Sequence, residues 1–266
     1  MSRAPAASLA ERLRTDGLDW IVPDWPAPPQ VRAFATTRHG GASAGAYATL
    51  NLGRKTVDDP AAVVENHRRV ASYLPSPPVW LEQVHGSAVV TLGPHAPHAP
   101  PIADAAVTRQ PGVVCAVLTA DCLPVVFANR AGTAVGIAHA GWRGLAAGVL
   151  EATVAAMAAS DARPGDLFAW LGPAIGPAAF EVGADVVDAF CAADPGAIAC
   201  FAPHRAGKWH ADLAALARRR LAAAGVTHIG GGGFCTHADG VRFFSYRRER
   251  ASGRMAAVVW LDAAAV

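Results

Sequence analysis

Between Gly112 and Ala140 three apolar, β-branched runs follow one another almost without a break: GVVCAVLT, LPVVFAN and TAVGIAHA. Runs of this length, bounded by turn residues, read as β-strands. Asn129-Arg130-Ala131-Gly132 reads as the hairpin turn joining the last two. Further strands are expected at VRAFATT (Val31 to Thr37), SPPVWLEQVHG (ending near His85), DLFAWLG, FFSYRRE and MAAVVWL. Helical patterns lie between them. Ser8 caps a short helix ending near Arg14, with Gly17 beyond it. Asp59 caps a second that starts at Pro60, runs to about Tyr73 and carries Val63, His67 and Val70 on one face. Leu145 to Ala159, Glu181 to Ala193 and Ala211 to Ala224 are also expected to be helical. This mixture predicts an α/β (α+β) fold, a single domain over residues 1–266 with mixed β-sheets packed together and flanked by helices. Residues 1–25 read as an N-terminal extension. The prolines from Pro94 to Pro101 mark a long loop.

Composition narrows the function. With 266 residues, 52% of them hydrophobic, the chain can bury roughly 75% of its unfolded surface without disulfide staples. The net charge is +2, Arg218 to Arg220 lie inside a helical pattern, and Arg247 and Arg248 sit beside Glu249, which argues against nucleic acid as the main partner. The five cysteines are odd in number and form no C-x-x-C, as expected of a reducing compartment. The N-terminus is too charged for a secretory signal, and no apolar run of about 18 residues suits a membrane span. A cytoplasmic protein is expected; its oligomeric state is left open.

Chemistry concentrates where the runs end. His85 in QVHG, Cys122 in ADCLP and His139 in AHAGWRG each follow an extended apolar stretch at a turn. Two imidazoles and a thiolate suit one Zn²⁺ ion, and three protein ligands leave the fourth position for water, the arrangement of a catalytic zinc. Spacing alone leaves open a plainer reading, a buried cysteine and two unrelated hydrogen-bonded histidines.

The motifs LEQVHG, TADCLPVVFAN and AHAGWRG resemble those of the laccase-domain family, whose members are also labelled multicopper polyphenol oxidase, purine nucleoside phosphorylase or peptidoglycan editing factor. The resemblance extends through FATTRHGGAS, LNLG, the DDP-x5-NHRR stretch, ADAAVT, GPAIGP, FEVG, CTH and FFSYRRERASGRMAAVVWL, from about Val31 to the C-terminus. It implies that His85, Cys122 and His139 bind zinc. It also implies phosphorolysis of adenosine, inosine and methylthioadenosine and deamination of adenosine, with a purine nucleoside and phosphate as partners. The chain departs from the family pattern in two places. GPAIGPAAF lacks a cysteine pair, and His237 replaces an aromatic in CTH.

Other residues bear on that chemistry. Arg38, before HGG, and Arg143, after Gly141, are candidate phosphate ligands, because freed backbone N–H groups and helix starts favour anions. Asp121 is read as a general base, a partner of a histidine or a turn cap. Gln83 and Asn51 are read as substrate contacts or loop hydrogen bonders, and Trp142 as a wall. A copper oxidase is disfavoured, since none of the ten histidines forms H-x-H, although Met255 is a conceivable axial ligand of a two-His, one-Cys copper. A metal-free cysteine hydrolase editing peptidoglycan precursors, with Cys122 as nucleophile and a histidine as base, is the alternative. A non-enzymatic binding protein is the third class.

Overall fold

The computed structural model describes residues 7–158 and 163–263. The first elements are α1 (Leu9–Thr15), β1 (Val31–Ala35), α2 (Pro60–Ala71), β2 (Val79–Trp80), β3 (Val89–Leu92), β4 (Ala105–Thr108) and β5 (Cys115–Thr119). They are followed by β6 (Leu123–Asn129), β7 (Val135–Ala140), α3 (Trp142–Ala146), α4 (Val149–Ala158), β8 (Leu167–Leu171) and β9 (Glu181–Val182). The chain closes with α5 (Ala184–Cys191), β10 (Phe201–Pro203), β11 (Trp209–Ala211), α6 (Leu213–Ala223), β12 (His228–Gly231), α7 (Tyr246–Glu249) and β13 (Met255–Leu261).

Three mixed or antiparallel sheets result, with strand orders β1-β13-β5-β2, β12-β8-β6-β7-β4-β3 and β10-β11-β9. Strand side chains alternate between faces, and here both faces of the long strands are covered. From β13, Ala257, Val259 and Leu261 enter the core between the four- and six-stranded sheets, where they meet Val126, Ala128, Val135, Ile137 and Trp170. Ala256, Val258 and Trp260 point the other way, toward Leu9 and Leu13 of α1 and Val70 of α2. From β6, Leu123, Val125 and Phe127 pack beneath α3 to α6 with Leu145, Leu150, Phe190 and Leu216. The layers are therefore helices, sheet, sheet, helices. That burial explains why these strands read as unbroken apolar runs.

The caps at Ser8 and Asp59 form as expected: Ser8 makes a capping box with Glu11, and Asp59 accepts from Ala61 N. Gly132 adopts φ +66° in the β6–β7 turn. Four expectations change, one of them being the helix expected from Glu181, whose first two residues form β9 so that α5 starts at Ala184. FFSYRRE is not a strand: Phe243 and Phe244 are both fully buried, and Ser245 then caps α7. The helix expected from Leu145 is broken by Gly148 at φ +92° into α3 and α4, and its expected end, Ala159, lies outside the described residues. SPPVWLEQVHG contributes only the two residues of β2 as strand. The ladder of β3 and β4, along ADAAVT, adds a pairing that the strand pattern does not announce.

Candidate metal centre and its cavity

The site forms where the two large sheets exchange chain. β5 ends in the four-stranded sheet and β6 begins in the six-stranded one, so residues 120–122 step between layers. Asp121 takes φ +82° at that step, a conformation Asp tolerates better than most residues. Its carbonyl accepts from Ile175 N at 2.9 Å, and Cys122 is left half-buried at the sheet end. His139 sits next to the last residue of β7, opposite Pro124 of β6, and is 3% exposed. His85 lies in the turn after β2 with φ +58°.

These three side chains meet, although they come from two sheets and a turn. One ligand atom from each lies within 4.8 Å of the others. Cys122 Sγ is 3.8 Å from His85 Nε2. Tetrahedral zinc with bonds of about 2.0 and 2.3 Å would set such a pair about 3.5 Å apart, so the separation of this pair suits an ion of that size.

The turn that presents His85 is organised by a residue that sequence reasoning passes over. Asp104, fully buried just before β4, accepts hydrogen bonds from the backbone N–H groups of Val84 (3.1 Å), His85 (3.0 Å) and Gly86 (2.7 Å). It also pairs with His139 Nδ1 at 2.8 Å, which leaves Nε2 for the centre. One carboxylate thus supports the positive-φ turn of one histidine and orients the ring of the other, the supporting role that ligating histidines ordinarily need. Burial alone would raise the Asp104 carboxyl, but the bonds from His139, Gly86 and Val84 outweigh it and hold it below its ordinary value.

Cys122 and His139 are electrostatically coupled. Burial disfavours the thiolate, yet His139 and His85 outweigh it and bring the Cys122 pKa down to about 6. Burial likewise opposes charge on His139, but Cys122 and Asp104 raise its pKa to about 9. Without a metal this coupling favours a thiolate on Cys122 and an imidazolium on His139. The remaining cysteines form no disulfide among the described residues, and burial pushes the Cys115 thiol up to about 12.

The glycines of AHAGWRG admit this assembly. A Cβ at Gly141 would lie 2.8 Å from His85 Cδ2 and 3.0 Å from Cys122 Sγ, and one at Gly144 would lie 2.8 Å from Gly86 O. Gly141 has φ −63°, which alanine adopts readily, so its Cβ acts on the site and not on the backbone. Gly141→Ala is expected to lower metal occupancy and activity by about tenfold or more while thermal stability changes little. Metal analysis alongside a melting curve checks this; an alanine variant that retains full metal content contradicts it.

His85, Cys122 and His139 open into a cavity of about 530 Å³. Trp80, Leu81, Leu118 and Ala120 supply apolar wall, and Arg54, Arg254 and Tyr246 also line the cavity. An apolar pocket with a few placed polar groups is the usual form of a small-molecule site.

The remaining sequence candidates fall elsewhere. Asp121 turns its carboxylate to Thr236 Oγ1 (2.6 Å), Ser245 Oγ (3.0 Å) and Arg247 N (2.7 Å), so it braces the step as a turn residue. Arg38 donates to Ala48 O and Gly240 O and covers the Phe244 ring, outside the cavity. Arg143 is exposed and lies over Trp142, 4.4 Å from its ring, also outside the cavity. Gln83 does line the cavity, but its amide is engaged by both backbone groups of Leu118 at 2.8 and 2.9 Å, which prolongs the β2–β5 pairing. Asn51 is fully buried and bonded on both ends of its amide. Met255 lies in a separate apolar cluster with Phe243 and Phe244. No described helix is long and apolar enough to cross a membrane.

A fold of two packed mixed sheets with a His-Cys-His group at their junction matches known proteins over nearly its whole length. The chain belongs to the family described as multi-copper polyphenol oxidoreductase laccase, which matches residues 32–262. It is 54% identical to a purine nucleoside phosphorylase of Pseudomonas aeruginosa, covering 91% of this chain and 98% of that one. It is also 54% identical to the purine nucleoside phosphorylase YfiH of Escherichia coli, with the same coverage. Among solved structures it resembles a Neisseria meningitidis protein (TM-score 0.87, 49% identity, 92% of this chain and 100% of that chain). YlmD from Geobacillus stearothermophilus is similar at a TM-score of 0.86 and 35% identity, over 92% of this chain and 96% of that one.

Proposed function

We propose that the chain is a zinc-dependent purine nucleoside enzyme that carries out phosphorolysis of adenosine, inosine and methylthioadenosine and deaminates adenosine. The observation that carries this reading is the His85–Cys122–His139 group opening into an apolar-walled cavity, within a chain so similar to purine nucleoside phosphorylases. Zinc is favoured over copper because no H-x-H pair is present for a copper cluster and Met255, the conceivable axial ligand of a two-His, one-Cys copper, lies in a separate apolar cluster.

The chain's own residues have distinct tasks in it. Trp80, Leu81 and Leu118 offer an apolar surface for a purine and exclude water. Asp104 fixes His139 in the tautomer whose Nε2 faces the cavity. Cys122, with its pKa near 6, supplies a thiolate at neutral pH without an external base. A bound zinc ion would supply Lewis-acid polarisation of water or substrate oxygen. In phosphorolysis a phosphate oxygen bonds to C1′ of the ribose as the bond to N9 breaks, and the base leaves with a proton. In deamination water adds at C6 of adenine and ammonia leaves, giving inosine. Incubating the purified protein with adenosine and phosphate, with and without chelator, is expected to yield adenine or inosine only in the metal-replete sample. Equal turnover after complete metal removal contradicts the reading.

The Cys122–His139 pair favours a second reading, a metal-free cysteine hydrolase acting on peptidoglycan precursors. Alkylation separates the two. In metal-free protein above pH 6, iodoacetamide is expected to modify Cys122 well ahead of Cys115, because only the former is largely thiolate. Stoichiometric zinc is expected to protect Cys122 from the reagent. Metal-free protein that keeps full activity until Cys122 is alkylated supports the hydrolase instead.

A further inference from the structure

Two arginines in the cavity lining have no carboxylate partner among the described residues. Arg54 is exposed at the rim and donates no hydrogen bond there. Arg254 is half-buried, and Nη1 alone is engaged, by Ser252 O (2.7 Å) and Gly253 O (3.0 Å). Its Nε and Nη2, the edge that makes forked contacts to oxyanions, have no hydrogen-bond acceptor among the described residues. The third cation of the lining, Lys55, is neutralised by an ion pair with Glu82. Among the arginine and lysine side chains of the lining, the charge without a carboxylate partner therefore rests on these two guanidinium groups, and a cleft with apolar walls strengthens their pull on an anion.

Their juxtaposition is built. Asn51 Oδ1 accepts from Gly53 N and from Arg254 N, each at 2.9 Å, and Leu52 N donates to Arg254 O at 2.9 Å. The stem of Arg254 runs against Gly53, where a Cβ would come within 2.8 Å of its Cγ. Asn51 Nδ2 is held in turn by Thr56 Oγ1 and Asp58 Oδ2. Asn51 thus joins two segments about 200 residues apart so that Arg54 and Arg254 border one cavity.

We propose that Arg54 and Arg254, brought together by Asn51 and Gly53, form an oxyanion subsite that binds a phosphoryl group beside the His85–Cys122–His139 centre. The inference rests on the phosphorolytic reading for the identity of the anion as inorganic phosphate. A phosphate monoester on a nucleoside has the same chemistry. Arg38 and Arg143, the candidates suggested by sequence, face other partners or solvent.

The test is equilibrium binding of inorganic phosphate, and separately of adenosine 5′-monophosphate, to the metal-loaded protein by calorimetry, together with steady-state kinetics. Losing a charge-assisted contact is expected to weaken phosphate binding by about tenfold or more in Arg54→Ala and in Arg254→Gln. Arg54→Lys is expected to recover part of the loss, and Arg130→Ala, a remote control, to bind as wild type. Metal content is expected to stay constant. In kinetics the KM for phosphate is expected to rise in the two arginine variants more than the KM for the nucleoside. Should Arg254→Gln fold poorly, Arg54→Ala decides the matter, since its side chain holds no other group among the described residues. Saturable phosphate binding lost in Arg54→Ala upholds the subsite even if no nucleoside is turned over. The same loss for the nucleotide alone upholds it with a monoester as ligand. Phosphorolysis with an unchanged phosphate KM in both variants overturns the subsite and leaves the proposed function standing. Failure of wild type to bind either anion at millimolar concentration also overturns it.

Discussion

Cys122→Ala is expected to reduce nucleoside turnover by about 10³-fold or more, the equivalent of about 4 kcal/mol of lost transition-state stabilisation. The size of the effect follows from its position. The cysteine is the one sulfur donor in the group and the residue by which β5 and β6 deliver a ligand from the seam between sheets. Its side chain is half-buried and small, so alanine opens little void, and the metal-free variant is expected to unfold within about 1 kcal/mol of metal-free wild type. Metal-loaded wild type should melt higher than either, because an ion that binds only the folded state stabilises it by linkage. Turnover, zinc content and melting temperature measured on the same preparations check the set. A variant that keeps both turnover and zinc would remove the sulfur from the centre.

Asp104→Ala is expected to be the most destabilising single change at the site, by about 3 to 5 kcal/mol. It leaves the buried His139 ring N–H and three part-buried backbone N–H groups without their acceptor. Asp104→Asn preserves shape and one acceptor oxygen. Its expected effect is smaller on stability and is felt at the metal, with affinity lower by about 10- to 100-fold. The pH dependence has a definite sign. The folded carboxyl is held below its ordinary value, so its stabilisation is complete above about pH 3.9, the unfolded value, and is lost as pH falls through the lowered folded value. Denaturant unfolding at neutral pH therefore measures the full contribution. An alanine variant as stable as wild type would show that the turn at His85 supports itself.

The two packed sheets were legible because their strands are covered on both sides. β6 and β13 therefore read as continuous apolar runs. FFSYRRE misleads for a related reason: Phe243 and Phe244 are adjacent and both buried, which mimics a covered strand, while the capping role of Ser245 settles the following turn as helix. His85, Cys122 and His139, which the structure brings together, could be picked out as candidate ligands because each stands at the end of such a run within a motif of known type. Asp104 could not. It is 19 residues from His85 and 35 from His139, and its only local mark is a lone acid before the apolar AAVT. Arg54 and Arg254 are joined only by the packing of LNLG against the start of β13, a contact with no local sequence signature. Arg38 draws attention through the glycines beside it, but Phe244, Ala48 and Gly240 claim its guanidinium.

X-ray data collected on either side of the zinc absorption edge from crystals of the protein as purified would test the central claim most directly. One anomalous peak is predicted, about 2.3 Å from Cys122 Sγ and about 2.0 Å from Nε2 of His85 and of His139. No peak at that point, or one that appears only at the copper edge, would contradict it.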